Sequence, residues 1–236
     1  MDDLLDLLER YAPGYRDTIK GAKFWQLDVL EERFGRPLPG AYRAFAEIMG
    51  VDGGALLAHV CSYHPDHISE LYAVAPWMPP HRFLYILGDS SLEDHSYFLD
   101  LDTSCDSDDH EVVRFPFDDD GWANRTRKFV SLREMLLLWA MRYVALPTFP
   151  HAAEFSRGAE SLTASAEDVA NLITRLGFVK LSLPVRCMLF ERPDAVIELY
   201  RLPHEPGFSF RVGMRDADEL RRFEAIIEEN TSMVRS

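Results

Sequence analysis

Between Glu31 and Gly50 the chain reads EERFGRPLPGAYRAFAEIMG, and Gly35, Pro37 and Pro39 fall within five positions of one another. Upstream, Leu27, Leu30 and Phe34 recur at helical spacing, and Gly35 is a natural C-terminal exit for such a helix. Downstream, Tyr42, Phe45 and Met49 form a second stripe. That helix starts at Pro39, where a missing N–H costs nothing, and ends at Gly50. A proline disfavours helical geometry in the residue before it, so Arg36 and Leu38 are expected to be extended. Two short helices therefore meet at a stiff joint, with Leu38 placed to drop between them as a staple.

The same periodicities organise the rest of the chain. Leu4, Leu5, Leu8 and Tyr11 mark a first helix, stopped by Pro13 and Gly14. Strands are expected at ALLAHVCSY, at FLYILG, at SYFLDLD and at EVVRFPF. GDSSLED and TSCDSDDH read as hairpin connections between them. A helix from Ser131, with Ser131 and Glu134 as its capping box, buries Leu132, Met135, Leu136, Trp139 and Tyr143. Residues 147–164, with Pro147, Pro150 and then small and polar residues, read as a linker. Residues 165–236 then read as a small α-β-β-β-α unit. Ser165 caps its first helix, which bears Val169, Leu172, Ile173 and Leu176 and is closed by Gly177. Its strands lie near 185–190, 196–202 and 208–213, with turns at Pro193-Asp194 and Pro206-Gly207. Asp216 and Glu219 cap a last helix with Leu220, Phe223 and Ile227 inward.

The order of these pieces resembles the SUKH superfamily over residues 20–145. The resemblance rests on Leu30-Glu31, Gly35, Leu38-Pro39, Tyr42, Phe45 and Gly50 with Gly53-Gly54. It continues in Gly88-Asp89, Leu99-Asp100-Leu101 and the closing helix FVSLREMLLLW. The pattern departs from the family at SSLEDHSYF and over 51–80, and residues 165–236 lie outside it. The resemblance implies an α+β fold with a largely antiparallel sheet flanked by helices, here followed by the small α+β unit. The domains expected are therefore 1–146 and 165–236. The family includes bacterial immunity proteins against polymorphic toxins and a yeast regulator of cell-wall synthesis. It works by binding other proteins and has no shared catalytic residues to carry over.

Charge points the same way. The chain has 25 Lys+Arg against 39 Asp+Glu, a net charge of −14. Residues 1–150 hold 14 against 25, and 151–236 hold 11 against 14. Such a first half repels nucleic acid and anionic lipid and attracts a basic partner. No apolar run approaches the ~18 residues that cross a bilayer. The acidic start MDDLLDLLER is neither a secretory signal nor a transit peptide. Cys61, Cys105 and Cys187 are scattered with no CxxC, as expected of reduced thiols in a cytoplasmic protein.

The candidate chemistry is thin. His59, Cys61, His64 and His67 cluster in HVCSYHPDH, but their spacing fits no common zinc pattern. Asp100, Asp102, Asp106, Asp108 and Glu111 match a calcium loop in number, yet Cys105 stands where such loops need glycine. Glu93, Asp94 and His95 have no nucleophile to serve, and the chain has no GxSxG, P-loop or GxGxxG. The basic run Arg125 to Lys128 reads as balance for nearby aspartates. Trp77 and Trp122 sit in Pro/Gly-rich loops, either as interface anchors or tucked beneath their own loops. The expectation is a non-enzymatic binding protein without cofactor or metal, its partner a basic toxin domain such as a nuclease. Asp106, Asp108, Asp109, Asp118, Asp119, Asp120 and Trp122 are the candidate contact residues. The alternative is a regulatory scaffold of the SUKH type with several partners.

Overall fold

The structure, a computed structural model, describes residues 1–90, 95–106, 108–118, 120–157, 164–184, 186–231 and 233–236. The described residues form an α+β protein with seven α-helices and two antiparallel sheets. The chain divides into two compact units, 1–9 with 13–135 and 10–12 with 136–236.

The first unit opens with α1 (Asp2–Tyr11), which buries Leu4, Leu5, Leu7 and Leu8. The expected joint then appears between α2 (Phe24–Phe34) and α3 (Gly40–Met49). Gly35 ends α2 at φ 78°, a left-handed conformation that costs glycine no side-chain clash. Leu27, Leu30, Phe34, Tyr42, Phe45 and Met49 are all buried, and Leu38 is only 5% exposed. ALLAHVCSY does not make a full strand. It folds as a 3-10 turn over Gly54–Leu57 followed by the two-residue β1 (Val60–Cys61). Helix α4 (Pro65–Val74) lies in a stretch where no helix was expected. Pro65 is its first residue, and His64 Nδ1 accepts the Asp66 N–H at 3.1 Å. Gln26 on α2 donates to the Asp66 carboxylate at 2.8 Å, tying α4 to α2.

The sheet of this unit runs β1-β2-β3-β4-β5, every pair antiparallel. Its remaining strands are β2 (Phe83–Asp89), β3 (His95–Asp106), β4 (Asp109–Pro116) and β5 (Thr126–Phe129). The connection GDSSLED falls largely at 91–94, outside the described residues. β5 takes up most of the basic run. The alternating face of β3 is fixed by packing: Phe98 stacks on Phe115 with centroids 3.9 Å apart. Tyr85 meets Phe98 edge-on at 5.4 Å.

The chain enters the second unit within α5 (Leu132–Trp139), which continues as a π-helical segment over Ala140–Ala145. The Ser131 hydroxyl accepts the Glu134 N–H at 3.0 Å, as the capping box requires. Within the stretch expected as a linker, 147–164, a strand forms, and 158–163 lie outside the described residues. β6 (His151–Arg157) lies inside a six-stranded sheet of order β11-β6-β10-β9-β8-β7. The other strands are β7 (Val179–Lys180), β8 (Met188–Arg192), β9 (Ala195–Arg201), β10 (Phe208–Met214) and β11 (Met233–Arg235). β6 pairs with β10 over six consecutive positions, from Ser209↔Ser156 to Met214↔His151. Phe155 stacks on Phe210 at 4.6 Å and is fully buried. Three strands were expected in this unit, but β6, β7 and β11 complete the sheet.

The helices of the second unit match the sequence signals. α6 (Ala166–Arg175) is capped reciprocally by Ser165 and Asp168. α7 (Ala217–Asn230) starts where Asp216 Oδ1 accepts the N–H groups of Asp218 and Glu219 at 2.8 and 3.0 Å. Both helices pack into one apolar cluster with Ile197, Leu199, Phe210 and Val212 of the sheet.

Candidate protein-interaction surface

The acidic charge is more concentrated than the halves of the chain reveal. Residues 51–124 hold two Lys+Arg, Arg82 and Arg114, against fifteen Asp+Glu. That net of −13 is nearly the whole net charge of the chain, and it falls on the segment that builds β1 to β4.

Part of this charge is internal and neutralised. Asp100 on β3 is fully buried, and Arg82 grips both its oxygens at 2.9 and 2.6 Å. Arg125 stands 3.7 Å from the same carboxylate. Hydrogen bonding to Asp100 pushes the Arg82 guanidinium further above its ordinary range. Glu111 on β4 faces Arg127 at 3.4 Å, and Asp89 pairs with Arg114 at 3.1 Å. Asp102 also lies 3.5 Å from Arg82, so three of the five carboxylates that match a calcium loop in number, Asp100, Asp102 and Glu111, face arginines, and the basic run balances acids as its sequence implied. Among the described residues, no three His, Cys, Asp or Glu side chains are grouped to hold a metal ion.

The candidate contact residues separate into distinct roles. Asp109 is buried, and its carboxylate accepts the N–H groups of Leu132, Arg133 and His110 at 2.9, 3.1 and 2.7 Å. It caps α5 and offers no carboxylate to the surface. Burial raises its pKa, and the three N–H bonds oppose that rise. Asp108 is exposed but fixed: Oδ1 accepts the Gly40 N–H at 2.9 Å, and its carbonyl accepts that of Ala41 at 3.0 Å. A β-carbon on Gly40 would lie 1.8 Å from Asp108 Oδ2, so a side chain there would displace the Asp108 carboxylate from this position. The Asp106 side chain and the whole of Asp119 lie outside the described residues. Asp118 and Asp120 are exposed and enter no ion pair among the described residues.

Trp122 is half-buried in a 3-10 turn over Gly121–Asn124, its ring 6.4 Å from Phe83. It packs down onto the sheet. The aromatic that stands beside the acids is Trp77. Its ring meets Phe117 edge-on at 5.7 Å, and with Pro76, Asp118 and Asp120 these two rings line a cleft of about 650 Å³. Phe117 also lies 6.1 Å from Tyr85 and 6.4 Å from Phe98. The cleft floor is therefore rooted in the aromatic stack of the sheet. Phe117 had no signal of its own in the sequence, because it reads as the last residue of an expected strand.

The second unit holds a mixed-charge cluster. Glu198 on β9 is buried and accepts from Arg142 Nε at 2.8 Å. Arg211 on β10 grips Glu154 on β6 at 3.0 Å through two nitrogens and lies 3.6 Å from Glu198. Burial pushes the Glu198 carboxyl up, and Arg142 pulls against that rise. Each arginine here has a carboxylate partner, so the cluster binds the π-helical segment to the sheet.

Comparison with protein-family models, with curated proteins and with solved structures found no match. No helix among the described residues is long and apolar enough to cross a membrane.

Proposed function

We propose that this chain is a non-enzymatic, cytoplasmic binding protein that neutralises a basic toxin domain by covering it, in the manner of SUKH-type immunity proteins. The observation that carries the reading is the net charge of −13 over residues 51–124, with Asp118 and Asp120, exposed and in no ion pair among the described residues, beside an aromatic cleft. A nuclease needs a basic groove for the phosphate backbone, and an array of exposed carboxylates stands in for that backbone. Long-range attraction between the two speeds encounter, which matters for an inhibitor of a lethal enzyme. The internal pairs Asp100–Arg82 and Asp89–Arg114 hold the sheet, while the exposed Asp118 and Asp120 are available to a partner.

The test is to mix the protein with a basic nuclease domain encoded by a neighbouring gene. The expected result is a stable complex and loss of nuclease activity. No complex and undiminished activity would contradict the reading. Capture of several weakly held partners instead would favour the scaffold alternative.

A further inference from the structure

Resting on the binding-protein reading above, we propose that the cleft lined by Pro76, Trp77, Phe117, Asp118 and Asp120 receives an arginine side chain of the protein partner. Three features choose this occupant. The walls are aromatic, and a guanidinium is planar, weakly hydrated and suited to lie against a ring face. Two carboxylates stand at the cleft, and neither is used in an ion pair among the described residues. They match the forked donors of a guanidinium, whereas an ammonium offers a point charge. The surroundings are also strongly negative, so an anionic or neutral side chain gains nothing by entering.

The site is built to keep its shape. Phe117 is anchored on Tyr85 and Phe98, and Trp77 is held edge-on against Phe117. Asp118 Oδ1 accepts the Asp120 N–H at 3.3 Å, so the two acids are set by one local turn. An entering arginine finds its pocket formed, and little ordering opposes binding.

Deca-arginine and deca-lysine peptides serve as probes, with the Trp77 indole N–H followed by NMR and assigned by Trp77→Phe. The expected result is a saturable shift of that resonance and a deca-arginine affinity about three- to tenfold above that of deca-lysine. Trp77→Leu should remove the preference for arginine. The double variant Asp118→Asn, Asp120→Asn, which keeps the shape of the turn, should weaken arginine binding more than lysine binding. Equal affinity of both peptides with an unmoved Trp77 overturns the cleft assignment and leaves the acidic-surface reading standing. Failure of both peptides to bind at low salt contradicts that reading as well.

Discussion

The Glu31 carboxylate accepts the Leu38 backbone N–H at 2.8 Å. Pro37 and Pro39 carry no N–H, so Leu38 supplies the only backbone donor of the 37–39 joint, and Glu31 takes it. Arg43 Nη2 reaches the same oxygen at 2.8 Å from α3. One carboxylate therefore fastens the end of α2, the joint and the start of α3. These two bonds, that of Leu38 first, hold the Glu31 pKa below its ordinary 4.5.

A depressed carboxylate pKa gives stability that is present above the ordinary value and is lost as pH falls through the depressed one. Glu31→Gln keeps an oxygen for Leu38 but loses the charge opposite Arg43. The variant should melt below the wild type at pH 7, and the gap should close on acidification below about pH 4. Melting curves across this range check it; a gap independent of pH would mean that the charge of Glu31 contributes nothing.

Leu38 itself is buried. Leu38→Asp places an unpaired carboxylate there and should cost about 3 kcal/mol or more. Denaturant unfolding measures this directly. An unchanged midpoint would place Leu38 at the surface.

The joint was legible because its signals are local. Prolines, glycines and helical stripes act within a few residues, and so do the caps at Ser165 and Asp216. β6 was not legible, because Pro147 and Pro150 precede it and its strand character comes from pairing with β10, over fifty residues away. The small aromatic cleft failed for the same reason. Trp77 was visible as a loop aromatic, but its contact with Phe117 is set by the sheet and not by spacing. Charge totals revealed an acidic first half, but only the structure separates Asp109, turned inward to cap α5, from Asp118 and Asp120.

Because β6 lies inside the six-stranded sheet, a fragment of residues 165–236 should fail to fold. It would leave β10 and β11 without their shared neighbour and remove Phe155 from its stack on Phe210. Circular dichroism and thermal melting of this fragment should show no cooperative transition, whereas the full chain should show one. A cooperative, soluble 165–236 fragment would mean that β6 is dispensable.

Arg142→Met should destabilise the second unit by about 3–5 kcal/mol at neutral pH, because it removes the close partner of a buried carboxylate. The sign with pH is opposite to that of Glu31. Glu198 has a raised pKa, so its contribution to stability is full below the ordinary 4.5 and is lost as pH rises through the raised value. Removing Arg142 raises that value further. The deficit of the variant should therefore shrink as pH falls towards 4.5, and a deficit that grows on acidification would contradict the pairing.

If the exposed acids of the first unit recruit a basic protein, they should set the rate of encounter. The direct measurement is the association rate of wild type and of the Asp118→Asn, Asp120→Asn variant with the basic nuclease domain, followed by stopped flow across a salt series. These substitutions leave the capping residues Asp108 and Asp109 untouched. The variant should associate more slowly at low salt and show a shallower salt dependence, and the two rates should converge as screening rises. Equal rates with the same salt slope would contradict it.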